Sequence, residues 1–150
     1  TAGIKDLEMQ IRVETHRRHR PPHFRLVEEP LYPEHVLEDG TAGTFILLDC
    51  LTMLLSNHLL QRLKGETDPS PQKQAEISTA VLDYLAGLAG KMQSCPADVL
   101  VVTNEVGSGI VPEHSLGRLF RDLAGKANQL VAAQADEVWF TVCGLARRFK

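Results

Sequence analysis

Three short apolar runs punctuate the chain, at residues 44–49 (TFILLD), 98–103 (DVLVVT) and 137–142 (EVWFTV). Each is rich in residues that favour strands and none alternates strictly with polar positions. That pattern predicts parallel strands covered on both faces. Between the runs the apolar spacing becomes helical. Residues 51–63 follow the first run directly. Ser70 and Pro71 then supply an N-cap and a proline at the first helical position, opening a helix that reaches about Met92. Pro112 and Glu113 open another, with Leu116, Leu119, Phe120, Leu123, Ala127, Leu130 and Val131 on one stripe.

Toward the start, residues 4–20 read as a helix that Pro21 and Pro22 must end, because the residue before proline avoids the α region. Residues 23–28 form a short edge strand, and residues 33–43 and 65–70 form exposed loops. The alternation of strand and helix predicts one α/β domain over residues 1–150, with a mainly parallel sheet flanked by helices.

Composition narrows the function classes. Apolar residues make up 43% and the formal charge is only −3, so no global field draws the chain to nucleic acid or membrane. No apolar run approaches the roughly 20 residues of a bilayer span. Cys50, Cys95 and Cys143 lack CxxC spacing and lie in or beside apolar runs. They read as buried, reduced thiols in a cytoplasmic protein. The sequence opens on Thr1 without an initiator methionine, which implies processing or a longer encoded chain.

Charge matters locally. Residues 12–25 pack five arginines and three histidines against one carboxylate, Glu14. Arginine forks match phosphate oxygens, so a polyphosphate is a natural guest. Arg12, His16 and Arg20 follow at i, i+4 and i+8 and share a helical face. Neighbouring cations disfavour imidazolium, which leaves His16 neutral and nucleophilic near pH 7. A zinc site from His16, His19 and His23 competes, but the prolines interrupt the helix and no acid or cysteine ligand lies nearby. Binding of nucleic acid lacks stacking aromatics besides Phe24. A solvated basic face is the plain alternative.

In open α/β sheets, ligands bind beyond the carboxyl ends of the strands. The first run ends on Asp49, a carboxylate placed either to hold Mg²⁺ or to cap the next helix. The second leads into Thr103, Asn104, Glu105 and the glycines 107 and 109, where Asn104 and Glu105 can touch a ligand. The third ends at Cys143 and Gly144, ahead of a basic tail read as solvated.

Several of these segments carry a resemblance that spans the whole chain. They are the run at residues 102–112 (VTNEVGSGIVP), then LFRD at 119–122, Gly125, Asn128–Gln129 and ADEVW at 135–139. Upstream stand Asp6, Glu8, Met9, Arg12, His16, Arg17, Arg20, Pro21, Phe24, Arg25 and VEE at 27–29. LDCLT at 48–52 and Ser56–Asn57 complete the set. Together they resemble the bifunctional adenosylcobinamide kinase/adenosylcobinamide-phosphate guanylyltransferases of cobalamin biosynthesis.

The resemblance implies a P-loop type α/β fold, a kinase step using ATP or GTP, and transfer of GMP from GTP to adenosylcobinamide phosphate. It places the covalent GMP carrier on His16. It puts Arg17, Arg18, His19, Arg20, Glu28 and Asp49 around the GTP, where the carboxylate of Asp49 is also placed to organise Mg²⁺. Asn104, Glu105, Arg121, Asp122 and Asn128 become substrate or interface positions, although Arg121 and Asp122 can equally pair with Arg118 and Lys126 on the helix surface. Such enzymes form homo-oligomers, often trimers. The sequence departs from the family in one respect: no GxxxxGK[ST] loop occurs in these 150 residues. Thr1 aligns after that loop, so a strand–loop–helix–strand unit of about 30 residues is expected upstream.

Overall fold

The computed structural model describes Thr1 and residues 7–150, with the backbone alone for Met9, Arg12 and His16. The expected helix start at Ile4, and Asp6 from the resemblance, lie outside the described residues. Helix α1 runs Leu7–His19 and stops before the two prolines. Arg20 sits one residue past its end, in a turn where its N–H donates to the Arg17 carbonyl. The face expected to join Arg12, His16 and Arg20 therefore does not extend to Arg20 as helix.

Two apolar runs pair as expected. Strand β1 (Phe45–Asp49) lies parallel to β2 (Asp98–Val102), with Asp49 opposite Val102. Ile46, Leu48, Val99 and Val101 face the helices and join the core. The opposite face is open: Phe45, Leu47, Leu100 and Val102 are all exposed. The expectation of strands covered on both faces fails here. A non-alternating apolar run says that both faces suit burial, and the described residues bury one.

Helix α3 (Leu51–Leu63) matches its sequence prediction, and Cys50, not Asp49, holds its N-cap position. Its C-terminus turns on Lys64, which has positive φ, followed by Gly65. Helix α4 (Pro71–Ser94) starts as predicted, with the Ser70 hydroxyl accepting from Lys73 N–H. Helix α5 (Ser115–Gln134) begins later than Pro112, because the Arg118 side chain donates to the carbonyls of Pro112 and Glu113 and holds them outside the helix. The stripes of α3, α4 and α5 meet in a core of Leu51, Leu54, Leu55, Leu59, Leu63, Val81, Leu85, Leu88, Leu123 and Ala127.

The third run corrects the sequence reading most. Trp139–Val142 forms β3, which pairs antiparallel with β4 (Leu145–Arg148) in a separate hairpin. Arg147 and Arg148, from the tail expected as solvated, belong to its second strand, and the tail's side chains are exposed as expected. Cys143 and Gly144 both have positive φ and make the two-residue turn. Cys143 is consequently exposed, against the expectation of a buried thiol, while Cys50 is buried. Lys150 Nζ reaches back to the Ala132 and Ala133 carbonyls and satisfies the C-terminus of α5. Residues 23–28 form no strand, and the loop at 33–43 contains a short helix α2 (Glu34–Glu38) anchored by buried Leu37.

A buried polar knot ties residues 29–37 to the helices. His58 on α3 is fully buried and its Nε2 meets the Leu31 carbonyl at 2.8 Å. Arg62 Nη1 donates to His58 Nδ1 at 3.0 Å, which fixes the ring proton on Nε2 and the ring as neutral. Tyr84 OH donates to the same Leu31 carbonyl, and its ring stacks 4.0 Å from His58. Burial, followed by the Arg62 charge, pushes the His58 pKa below its usual 6.5, against the raising effect of its bond to Leu31. In Tyr84, burial and then the Glu34 carboxylate push the phenol up.

The His58 shift has a pH consequence. The unfolded chain binds the histidine proton first, so the stability from neutral His58 is complete above about pH 6.5 and is lost as pH falls toward the lower folded value. The midpoint of urea unfolding should drop between pH 7 and pH 5.5. The drop should shrink in His58→Leu, compared as a difference between the two pH values. An equal drop in both proteins would remove His58 as its source.

Candidate functional site

The basic segment expected to bind phosphate lies on α1 and the turn after it. Arg17 forms an ion pair with Glu28, linking the helix to the strand-free segment behind it. Both groups are about half exposed, so the pair serves position more than stability. Arg18 Nη2 donates to Glu14 at 2.8 Å, one helical turn back, and His19 Nδ1 meets the Thr15 carbonyl at 2.9 Å. Arg25 approaches Asp39 at 4.0 Å. A groove of about 400 Å³ runs along this helix, lined by Gln10, Val13, Glu14, Arg17 and Arg18. The side chain of His16 lies outside the described residues; its backbone is within α1.

Behind Glu28, Glu29 folds the chain into the core. Its Oε1 accepts from the N–H groups of Leu31 and Tyr32 at 2.9 and 3.0 Å, and these two bonds hold its carboxyl below the usual range. The turn aims residues 30–32 at α3, where Asn57 Nδ2 donates to the Pro30 carbonyl. The same amide donates to the Thr1 carbonyl at 2.8 Å.

Asp49 ends β1 with an exposed side chain. Next to it, the Thr1 hydroxyl accepts from Cys50 N–H at 2.9 Å and stands 2.8 Å from the Cys50 carbonyl. No group of three or more metal-ligating residues gathers among the described residues. One exposed carboxylate still fits Mg²⁺ that arrives on nucleotide phosphates, since that ion takes one or two carboxylates and keeps its other ligands as water and phosphate oxygen.

The strand ends also carry a cluster that the sequence named only in parts. Asn128, on α5, is its centre. Its Nδ2 donates to the Asn104 carbonyl at 3.1 Å and to Glu105 Oε1 at 2.7 Å, and its Oδ1 accepts from the Thr103 hydroxyl at 2.6 Å. Asn104 Nδ2 in turn donates to Thr52 Oγ1 at 2.7 Å, on the first turn of α3. Asn104, Glu105 and Asn128, named separately as substrate or interface candidates, are thus brought together. Thr52 and Thr103 were not singled out for this role, and a pairing across 52 residues leaves no local signal in sequence. Arg121 and Asp122 are not part of the cluster. They face one another at 3.3 Å, and Arg118, one of their expected partners, bonds the loop before the helix.

A family model described as cobinamide kinase/cobinamide phosphate guanyltransferase matches residues 1–149. The chain belongs to this family. It is 43% identical to the bifunctional adenosylcobalamin biosynthesis protein CobU of Salmonella typhimurium, across all of this chain and 83% of that protein. It is 41% identical to the protein of the same name from Escherichia coli, with the same coverage. The bifunctional adenosylcobalamin biosynthesis protein CobP of Pseudomonas aeruginosa shares 38%, over all of this chain and 79% of its own length. The cobinamide kinase/guanyltransferase match takes in the Arg/His segment, Asp49 and the strand-end cluster together. Among the described residues no helix is long and apolar enough to cross a membrane.

Proposed function

We propose that this chain is a cobalamin biosynthesis enzyme that transfers GMP from GTP to adenosylcobinamide phosphate, with His16 holding the GMP between two steps. The observation that carries this reading is the family match over residues 1–149, which contains His16 and its flanking arginines. In the first step a neutral His16 nitrogen attacks the α-phosphorus of GTP. An N–P bond forms, the bond to the bridging oxygen breaks, and pyrophosphate leaves. In the second, a phosphate oxygen of the acceptor attacks the same phosphorus and the N–P bond breaks, giving adenosylcobinamide-GDP and free His16.

Arg17, Arg18, His19 and Arg20 bind the GTP phosphates and offset charge on the departing pyrophosphate. Glu28 orients Arg17 through their ion pair. Asp49 is the residue to hold Mg²⁺, which when bound draws charge from the phosphates. Of the other substrate or interface candidates, the ion pair of half-buried Arg121 and exposed Asp122 suits contact between subunits of a cytoplasmic homo-oligomer, a trimer in our reading.

The kinase step, with ATP or GTP as donor, needs a phosphate cradle of the GxxxxGK[ST] type, a motif that does not occur in this sequence. We propose that the sheet is of P-loop type. A strand–loop–helix–strand unit bearing that cradle would cover Phe45, Leu47, Leu100 and Val102, which now face solvent. Guanylyl transfer is the half reaction these residues carry.

Incubation with GTP labelled at the α-phosphate should leave label on the protein that acid removes and alkali does not, as expected of a phosphoramidate. Label at the γ-phosphate should stay in solution as pyrophosphate. GTP bound without pyrophosphate release would instead mark a nucleotide-binding module without turnover.

A further inference from the structure

The strand-end cluster differs chemically from the α1 segment. Its members are Thr52, Thr103, Asn104, Glu105 and Asn128, and among the described residues no Lys or Arg side chain bonds any of them. An anionic phosphate gains nothing there and meets the Glu105 carboxylate. The cluster is nevertheless built with care. Asn128 spends both amide protons and its carbonyl oxygen on residues 103–105, so Glu105 cannot swing without breaking the clamp. Glu105 is exposed, and its second oxygen takes no bond among the described residues. What remains is an oriented carboxylate oxygen at the carboxyl ends of the strands, ready for a hydrogen-bond donor. The phosphates of GTP have no such donor to offer, although its guanine and ribose do, whereas cobinamide phosphate carries peripheral carboxamide N–H groups; label formation from GTP tells the two apart.

We propose that Glu105 accepts a hydrogen bond from the corrinoid substrate, and that Asn128 is the positioning residue that aims it. This rests on the function proposed above and divides the site by charge: nucleotide on the arginines of α1, corrinoid at the strand ends. A hydrogen bond to an ionised acceptor sets the size of the effect, about 10-fold or more in corrinoid affinity.

The two half reactions separate the possibilities, because GMP–protein forms from GTP before any corrinoid is needed. Glu105→Ala removes an exposed side chain. It should raise the KM for cobinamide phosphate about 10-fold, while the rate of label formation from GTP stays within about twofold of the parent. Asn128→Ala should shift the same KM in the same direction, and the double variant should be no worse than the more severe single one. Thermal unfolding of each variant shows whether a loss reflects folding. Label formation that falls in step with transfer, or an unchanged KM in Glu105→Ala, would overturn the assignment. If the parent takes no label at all, the proposed function fails. The inference is then read from equilibrium binding of cobinamide, where Glu105→Ala should bind about 10-fold more weakly and equal binding would sink it.

Discussion

His16→Ala should lose GMP–protein formation altogether and slow net guanylyl transfer by roughly 10⁴-fold or more, the scale of effect when a covalent nucleophile is deleted. The size follows from the chemistry. Without the imidazole, the phosphate acceptor must displace pyrophosphate directly, with no histidine to divide the reaction into two steps. The arginines remain, so GTP affinity should change little, and binding without turnover is the expected signature. Arg17→Ala should behave differently. It keeps the nucleophile and loses a cation beside the leaving group, together with the link to Glu28, for a slower label of about 10²-fold. A single-turnover chase with α-labelled GTP reads both variants. Persistence of the label in His16→Ala would remove His16 from the mechanism.

Leu85→Ala should cost about 2–5 kcal/mol of folding stability. Leu85 has no exposed surface, and it lies in the middle of α4 within the core that α3 and α5 complete. Removing its branched end leaves a cavity between helices already held by Leu54, Leu55, Leu88 and Leu123. Against a total stability of roughly 5–15 kcal/mol, that loss threatens the folded state itself. Leu85→Met fills most of the same space and should cost less than about 1.5 kcal/mol. Urea unfolding of the two variants beside the parent gives the comparison. Equal midpoints for Ala and Met would mean that the core is not packed tightly at this position.

Sequence carried the helical part of the fold well and the sheet less well. Leu51–Leu63 and the Ser70–Pro71 start were legible because period and caps are local signals. The third apolar run was not, because composition alone does not separate a buried parallel strand from one arm of a hairpin. The deciding signal was the dipeptide Cys143–Gly144, whose positive φ values make the turn. Asn–Gly or Asp–Gly there would have announced it; cysteine in that conformation does not. The late start of α5 was hidden too, since it depends on Arg118 reaching back to Pro112 and Glu113.

Site chemistry divided along the same line. Arg18 with Glu14 and His19 with Thr15 are pairs four residues apart, open to anyone reading the helix. The bond from Asn104 to Thr52 and the three bonds of Asn128 exist only once β2, α3 and α5 are assembled. The buried knot likewise needs the assembled fold, because His58 and Tyr84 meet the Leu31 carbonyl across 27 and 53 residues.

The central claim is that His16 carries the GMP. Protein incubated with GTP, quenched in alkali and cleaved into peptides should yield one GMP adduct, on the peptide that contains His16, and fragmentation should place it on that imidazole. An adduct on His19, on His23 or on a lysine, or GTP converted to pyrophosphate with no adduct on any peptide, would contradict the account.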